Sequence, residues 1–313
     1  MWIARRLGWT SRGSLMKAFA FGFIAFLSAP AAAAVPDPSS APPLKVEVLR
    51  TSAGSLYANI SLIEGVKDAV LVDAPFTMAD AHRVVAMVLD SGKHLTYVFV
   101  THDHPDHYFS MEVIRQAFPD VQIVAHPTVV ADIWASLPFK VKRWSPMLGN
   151  NGPRSPSAPT PLQGDTIMLE GRALQVLGPM AGDHHHATAL WAPSIKTLFA
   201  GDLVFNQMFL WLGEHHPEDV AAWSHSLDEL AKLHPEMVVA GHAKPGLPND
   251  ASGLEFSRHY LTAWPELVAH SKDSAALRAN VKQLFPQAID VLDDFLLGTS
   301  SKVAKGEEPI WQE

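Results

Sequence analysis

Five side chains of metal-binding type stand within six residues of this sequence, directly after a short apolar strand. The strand ends at Val100, and the loop that follows reads HDHPDH from His102 to His107. Alternating residues of an extended segment point the same way, so His102 and His104 can bind one metal ion together. Asp106 and His107 come where the chain turns and can reach a second ion. The fold must bring further ligands to this loop, which constrains the chain more than any other feature.

The composition points to imidazole and carboxylate as the metal ligands. The chain of 313 residues has no cysteine and 16 histidines, and every histidine lies after residue 34. A thiolate ligand and a cysteine nucleophile are therefore excluded. The sequence also contains no G-x-S-x-G turn of the kind that presents a catalytic serine. Metal-assisted chemistry is favoured over covalent catalysis.

The first 34 residues have the three parts of a secretory signal peptide. Four basic residues precede an apolar run over 18–27, and an alanine-rich stretch follows at 31–34. Met16 would itself begin a more ordinary signal, so Met1 and Met16 both stand as start positions. The run is short for a membrane span, and we expect no stable membrane insertion after the leader is removed. The predicted location is periplasmic or secreted.

The rest of the chain is acidic and begins with a proline- and serine-rich tether at 35–44. Residues 1–34 contain four of the 24 Lys and Arg and none of the 32 Asp and Glu, so the remainder has a net charge near −12. This charge argues against a nucleic-acid surface and against anionic membranes. We expect a small-molecule substrate and no nucleic-acid partner, while the oligomeric state stays open. Residues 45–313 are predicted to form one domain with C-terminal helices.

Strand and helix patterns alternate in two similar halves. Periodicity alone supports an α/β or α+β domain, and the two halves suggest two sheets packed face to face with helices outside, a four-layer αββα sandwich. The proline-rich stretch 138–161 is predicted to be a long loop, either a lid or a surface excursion. The tail from about 249 to 297 is predicted to be helical.

Three later motifs end apolar strands with a residue that can bind or support a metal. Asp73 ends the run AVLVD, Asp202 ends LFAGD, and His242 ends VVAGH. A carboxylate such as that of Asp202 has two oxygens and can bridge two cations that would otherwise repel each other. His242 follows its strand through a glycine, where an imidazole can turn toward a site.

Together these motifs resemble the metallo-β-lactamase superfamily. HDHPDH is similar to its HxHxDH signature, and the other three motifs follow in the family's order over about residues 45–245. The resemblance implies the αββα fold and two metal ions. It makes Asp202 the bridging ligand, His242 a ligand of the second metal, and Asp73 a support that does not touch metal. Asp106 would bind metal, orient the nucleophile and shuttle its proton.

One turn departs from the family pattern. The family's Gly-His-Thr turn, which supplies a ligand of the first metal, is replaced by Gly182-Asp-His-His-His-Ala187. An ungapped alignment places Asp183 at the ligand position, and a shift by one residue places His184 there. Both are kept as candidates and favoured over His186. Two Zn²⁺ per chain are expected, with iron or manganese as alternatives because a carboxylate ligand gives the site a harder character.

The resemblance predicts an exported dinuclear metal hydrolase. A metal-bound hydroxide would attack a small carbonyl ester, lactone, thioester or amide, with lactones prominent. The alternatives are a β-lactamase proper and, of a different class, a metal-binding protein without turnover. Export favours the β-lactamase, whereas Asp202 and the altered turn argue against it. The cluster His184 to His186 invites the non-catalytic hypothesis.

An aromatic and methionine-containing segment follows the predicted bridging aspartate. Phe205, Met208, Phe209 and Trp211 stand where the family has a wall of its substrate pocket. They are expected either to line a pocket for an acyl chain or ring, or to pack in the core.

Overall fold

The computed structural model describes residues 42–312. These residues form eleven strands, arranged in two sheets, and seven α-helices that lie outside the sheets. The strands are β1 Lys45–Arg50, β2 Asn59–Glu64, β3 Asp68–Val72, β4 His94–Val100, β5 Gln122–Ala125, β6 Thr160–Pro161, β7 Thr166–Leu169, β8 Arg172–Met180, β9 Ala187–Ala192, β10 Thr197–Asn206 and β11 Met237–Ala243. The helices are α1 Met78–Ser91, α2 Met111–Ala117, α3 Pro127–Leu148, α4 Pro217–Ala231, α5 Ser252–His270, α6 Ser274–Leu284 and α7 Phe295–Ala304.

The two sheets contain six and five strands. The first runs β1-β2-β3-β4-β5-β6; its first two pairings are antiparallel, and its other pairings are parallel. The second runs β11-β10-β9-β8-β7 and is antiparallel except for the parallel pair β10 and β11. The parallel strands β4, β10 and β11 are buried on both faces near their carboxyl ends, which explains why they read as continuous apolar runs.

Three apolar cores hold the four layers together. One lies between the sheets and includes Val70 and Phe99 from the first sheet and Leu190 and Phe199 from the second. The helices α1 to α3 pack on the outer face of the first sheet, and α4 to α7 pack on the outer face of the second. The predicted four-layer αββα sandwich is confirmed.

The predicted loop over 138–161 is wrong for its first part, because α3 continues through Pro138 and Pro146 to Leu148. Both prolines lie on the exposed face of α3, while Leu137, Trp144 and Leu148 are buried at helical spacing. An interior proline costs about 3 kcal/mol or more. Here the burial of large apolar side chains on the opposite face outweighs that cost.

The helical tail is confirmed in outline, with a break over 285–294 between α6 and α7. The predicted signal peptide and most of the tether lie outside the described residues. Within residues 42–312, no helix is long and apolar enough to cross a membrane.

Candidate metal centre

The loop after β4 meets the carboxyl ends of β10 and β11 at one end of the sandwich. A 3-10 turn over Pro105–His107 folds the loop back on itself. β10 brings Asp202, β11 brings His242, and the turn before β9 brings Asp183. Both sheets therefore contribute to one buried site.

The first cluster consists of His102, His104, Asp183 and Asp202, all buried, with one potential ligand atom of each within 4.8 Å of the others. His104 Nδ1 lies 2.8 Å from Asp183 Oδ2. His102 Nε2 lies 3.9 Å from carboxylate oxygens of both Asp183 and Asp202. Two imidazoles and two carboxylates thus face one point.

The second cluster consists of Asp106, His107 and His242, also buried within 4.8 Å. His242 Nε2 lies 3.1 Å from Asp106 Oδ2 and 3.1 Å from Asp202 Oδ2. The other oxygen of Asp202 lies 3.0 Å from His107 Nε2. Asp202 therefore contacts members of both clusters, which is the position that a bridging carboxylate requires.

Hydrogen bonds to the far ring nitrogens set the tautomers of three histidines. His107 donates from Nδ1 to Asp73 Oδ2 over 2.8 Å, and His242 donates from Nδ1 to the Leu56 carbonyl over 2.8 Å. His102 Nδ1 lies 3.0 Å from Thr101 Oγ1, whose proton goes to Asp73. Each ring thereby turns its Nε2 toward the centre, as metal-binding histidines do.

Asp73 supports the loop without joining either cluster, as the family resemblance implied. Its carboxylate accepts from the backbone N–H and hydroxyl of Thr101 and from His107. Asp73 itself has φ of +66°, a conformation that non-glycine residues adopt at a cost. The surrounding hydrogen bonds hold it there.

Glu214 is a site residue that the sequence analysis missed. Its Oε1 lies 3.3 Å from His104 Nε2 and accepts from Trp211 Nε1 over 3.0 Å. It therefore holds the far side of His104, as Asp73 does for His107. Burial alone would raise the pKa of Glu214, but the neighbouring His104 imidazole lowers it to about 2. Its place beside the His215-His216 pair is the one signal that the sequence offers.

The charge and the unpaired atoms of the centre fit cations. Burial raises the pKa of Asp183 to about 8, with a contribution from Asp202, because two carboxylates share a space that excludes water. Among the described residues, His102 Nε2 and Asp183 Oδ1 are buried without a hydrogen-bond partner. Buried polar atoms are rarely left so, and divalent cations between these imidazoles and carboxylates would satisfy both the atoms and the charge.

The altered turn places Asp183 in the first cluster and His184 outside it. His184 Nε2 lies 3.3 Å from Asp103 Oδ1, on the far side of the HDHPDH loop. Burial lowers the pKa of His184 to about 4, so the ring is neutral, and its Nδ1 accepts from the backbone N–H of His186. His186 also points elsewhere, with Nδ1 2.8 Å from Asp132.

Asp103 turns away from both clusters and anchors the loop to α3. Lys140 Nζ lies 2.8 Å from Asp103 Oδ2 and also donates to the Asp103 carbonyl, and both side chains are buried. Ser136 donates to the same carboxylate. The pair ties the backbone between His102 and His104 to the helix layer.

Two glycines let the backbones approach this closely. A Cβ on Gly241 would lie 1.8 Å from Asp202 Oδ1. Gly201 has φ of +51°, and a Cβ there would lie 2.7 Å from Thr101 Oγ1. The register of β10 against β11 shifts at Gly201, an irregularity of the kind that redirects a neighbouring side chain. Gly241 of the GH motif thus makes room for Asp202, and Gly201 of the GD motif makes room for Thr101.

Members of both clusters line one cavity, together with apolar and aromatic side chains. Phe205 and Trp211 line it, so two of the four predicted pocket residues face the site, while Met208 and Phe209 pack in the core. His215, which is buried, donates from Nε2 to the Gly182 carbonyl over 2.7 Å and so positions the turn that carries Asp183. His185 is largely exposed.

The family model described as Metallo-beta-lactamase superfamily matches residues 53–242. Among solved structures, the chain is similar to DIM-1 metallo-beta-lactamase, with 20% sequence identity and a TM-score of 0.53 over 71% of this chain and 99% of that chain. It is also similar to a metallo-beta-lactamase from Pontibacter korlensis, with 19% identity and a TM-score of 0.52 over 70% of this chain and 99% of that chain. The search of curated proteins finds no match. The matched range contains every residue of both clusters.

Proposed function

We propose, since the chain belongs to the metallo-β-lactamase superfamily, that it is a dinuclear metal hydrolase acting on small carbonyl esters, with lactones, thioesters and amides as related substrates. One observation carries the proposal: Asp202 contacts both buried clusters, and both clusters open into one cavity. A protein that only stores metal has no need of a shared carboxylate facing an open cavity.

The ligand residues form two sets, one for each of two cations. His102, His104 and Asp183 would hold the first, Asp106, His107 and His242 the second, and Asp202 would contact both. Bound there, the cations would supply Lewis acidity toward a carbonyl oxygen and a water of lowered pKa. Asp73 and Glu214 keep the rings oriented, and the apolar cavity walls exclude bulk water from the ester.

Asp106 is the residue we propose for proton transfer. It lines the cavity and is buried, and its Oδ2 lies 3.1 Å from His242 Nε2. From this position its carboxylate can orient an attacking water and pass a proton to the leaving group. Its two oxygens allow one to bind metal while the other handles the proton.

We propose zinc as the native metal, with two ions per chain. Four imidazoles and three carboxylates suit Zn²⁺, and the absence of cysteine in the sequence removes its sulfur ligands. Asp183 gives the first site two nitrogen and two oxygen ligands, a harder set than the family's three histidines provide. Iron or manganese is therefore the alternative for that site.

The test is elemental analysis of the purified protein combined with ester turnover before and after chelation. About two zinc ions per chain, with turnover that a chelator removes and added Zn²⁺ restores, is the expected result. Turnover that survives complete metal removal would overturn the proposal. Full metal occupancy without turnover of any ester, lactone, thioester or amide would favour the non-catalytic alternative.

A β-lactamase activity is the rival within the same chemistry. A β-lactam antibiotic carries a carboxylate, and no Lys or Arg is found among the described residues that line the cavity. We therefore expect a chromogenic cephalosporin to be hydrolysed more slowly than a neutral ester. The reverse order would make β-lactams the better substrate class. A periplasmic or secreted location, where such substrates occur, remains part of the proposal and rests on the signal-like sequence of residues 1–34.

A further inference from the structure

Aromatic rings make up much of the cavity lining besides the metal-centre residues. We call the five rings of Phe76, Trp144, Trp211, Phe295 and Trp311 the aromatic wall; all five line the cavity. They come from segments far apart in the chain. Phe295 and Trp311 lie beyond residue 242, where the family match ends, so this part of the wall belongs to the chain's own C-terminal segment.

The rings support one another in a fixed arrangement. Trp211 stacks on Phe295 with centroids 4.9 Å apart and planes 16° apart. Trp311 meets both rings edge-on, at 5.5 Å from Trp211 and 5.4 Å from Phe295. Trp144 meets Phe295 edge-on at 5.8 Å and Phe76 at 5.5 Å. Such offset and edge contacts are the favourable ones, so the wall is a preorganised surface.

The last ring is held by contacts outside the cavity. The backbone N–H of Trp311 donates to the Gly213 carbonyl over 2.9 Å. The Arg143 guanidinium lies 3.9 Å from the centroid of the Trp311 ring, a cation–π contact from α3. The ring is therefore fixed in place as the outer part of the wall.

The cavity offers negative and neutral groups to a substrate, and no fixed positive charge. Apart from the metal-centre residues and Glu214, its lining is apolar or aromatic. Among the described lining residues there is no Lys or Arg that could pair with a substrate carboxylate. The lining places metal-binding side chains next to apolar rings, which suits a compound with a ring beside its reacting group.

We propose that the aromatic wall is a specificity subsite that selects uncharged carbonyl substrates with a flat aromatic group next to the scissile bond. The proposal rests on the hydrolase function argued above and adds the chemical class of substrate. The ring packs against the wall while the carbonyl lies over the metal clusters.

Three methyl esters with the same leaving group test the proposal. Acid release is followed in a pH-stat for methyl phenylacetate, for methyl propanoate, which lacks the ring, and for methyl 4-carboxyphenylacetate, which adds a charge to it. The zinc-loaded full chain should give kcat/KM for the phenylacetate about 10- to 100-fold above the propanoate, the range expected for burying one ring. The charged ester should fall below the phenylacetate.

Trp311→Ala should bring the ratio of kcat/KM between methyl phenylacetate and methyl propanoate close to one. Phe295→Leu is the second variant, which keeps an apolar side chain if the first loses its fold. The matched control is Trp134→Ala, because Trp134 is 61% exposed on the far side of α3. Thermal unfolding of each variant verifies folding.

The outcomes separate this inference from the proposed function. Three results would overturn the subsite without contradicting the hydrolase function. They are ester turnover with no preference for the phenylacetate, a preference that Trp311→Ala leaves intact, and a preference for the charged ester. If no ester is turned over, the subsite is tested by calorimetric binding of phenylacetamide and propanamide. Tighter binding of phenylacetamide that is lost in Trp311→Ala supports the subsite, and equal binding of the two amides overturns it.

Discussion

At the scale of single residues, the centre depends on carboxylates that hold its histidines in place. Asp202 contacts both clusters, Asp73 holds His107 and the Thr101 backbone, and Glu214 holds His104. Because each carboxylate is buried, its charge acts at short range with little screening by water. Replacing one of them should disturb more than one partner.

Asp202→Asn should lower ester turnover by more than about 100-fold and reduce the bound metal below two per chain. A supporting partner is worth about 10- to 100-fold in metal affinity or activity, and a shared ligand should exceed it. Elemental analysis and steady-state kinetics measure both effects. Asp228→Asn, at an exposed site on α4, is the control and should leave both unchanged. Undiminished turnover in Asp202→Asn, or in His102→Ala, would contradict a dinuclear mechanism.

Glu214→Gln should weaken metal binding in the first cluster about 10-fold or more and leave the second cluster almost unaffected. The amide keeps the shape of Glu214 but loses the charge that orients the His104 ring. Competition with a metallochromic chelator separates the two affinities. Glu218→Gln, exposed on α4, is the matched control. Equal loss at both clusters would mean that Glu214 acts on the fold as a whole.

Gly241→Ala should lose metal although it adds a single methyl group. The new Cβ would lie 1.8 Å from Asp202 Oδ1, so the carboxylate or β11 must move. Gly54→Ala, whose Cβ would meet only ordinary contacts, should retain full metal content. A Gly241→Ala protein with two metals and normal turnover would show that the centre is more adaptable than this packing implies.

At the scale of elements, α7 positions part of the aromatic wall through a cap. The Asp290 carboxylate accepts from the backbone N–H of Val291, Leu296 and Leu297, and so orders the break between α6 and α7. Asp273 gives α6 a comparable cap through Ala276, away from the cavity. Removing each cap in turn therefore separates an effect on the stability of the fold from an effect on the preference for aromatic esters.

Asp290→Ala and Asp273→Ala should each lower the free energy of unfolding by about 1–2 kcal/mol. Only Asp290→Ala should also reduce the preference for methyl phenylacetate over methyl propanoate, because it frees the segment that carries Phe295. Urea unfolding and the two ester rates measure these effects. A similar change of preference in both variants would show that the selectivity follows overall stability rather than α7.

The elements also show what the sequence could predict. Strands ending in a motif, such as β4, β10 and β11, were predicted because their apolar runs stop at ligand residues. The continuation of α3 past Pro138 was not, because the deciding quantity is burial on the face opposite the proline. Glu214 and the rings of Trp144 and Trp311 were missed for a related reason. Their neighbours are distant in sequence, and no periodicity or spacing connects them.

At the scale of the whole molecule, the metal centre joins the two sheets. The first sheet supplies the HDHPDH loop, and the second supplies Asp202 and His242. Direct hydrogen bonds reinforce the junction, from Thr188 to the Thr101 carbonyl and from Asn59 to the Ala240 carbonyl. Cations bound between the sheets would stabilise the folded state by mass action.

Removal of metal should therefore lower the melting temperature. A ligand at 100 times its Kd contributes about 2.7 kcal/mol, which corresponds to a Tm change of about 5–10 °C for a domain of this size. Calorimetry of the chelated protein, with and without added Zn²⁺, measures the shift. In the Asp202→Asn variant, added Zn²⁺ should restore less of the lost melting temperature than in the unmodified protein. An unchanged Tm on chelation would contradict the role of metal as a link between the sheets.

The order in which the chain is made gives the C-terminal segment a further consequence. The ligand set is complete once His242 has been synthesised, but the wall of the cavity is closed only when Trp311 follows. A chain still on the ribosome thus carries all its ligand residues before it has the last ring of the proposed subsite. Because every ligand lies within residues 53–242 and Phe295 and Trp311 lie beyond them, the last segment can change, and with it the proposed substrate preference, while the ligand set stays as it is.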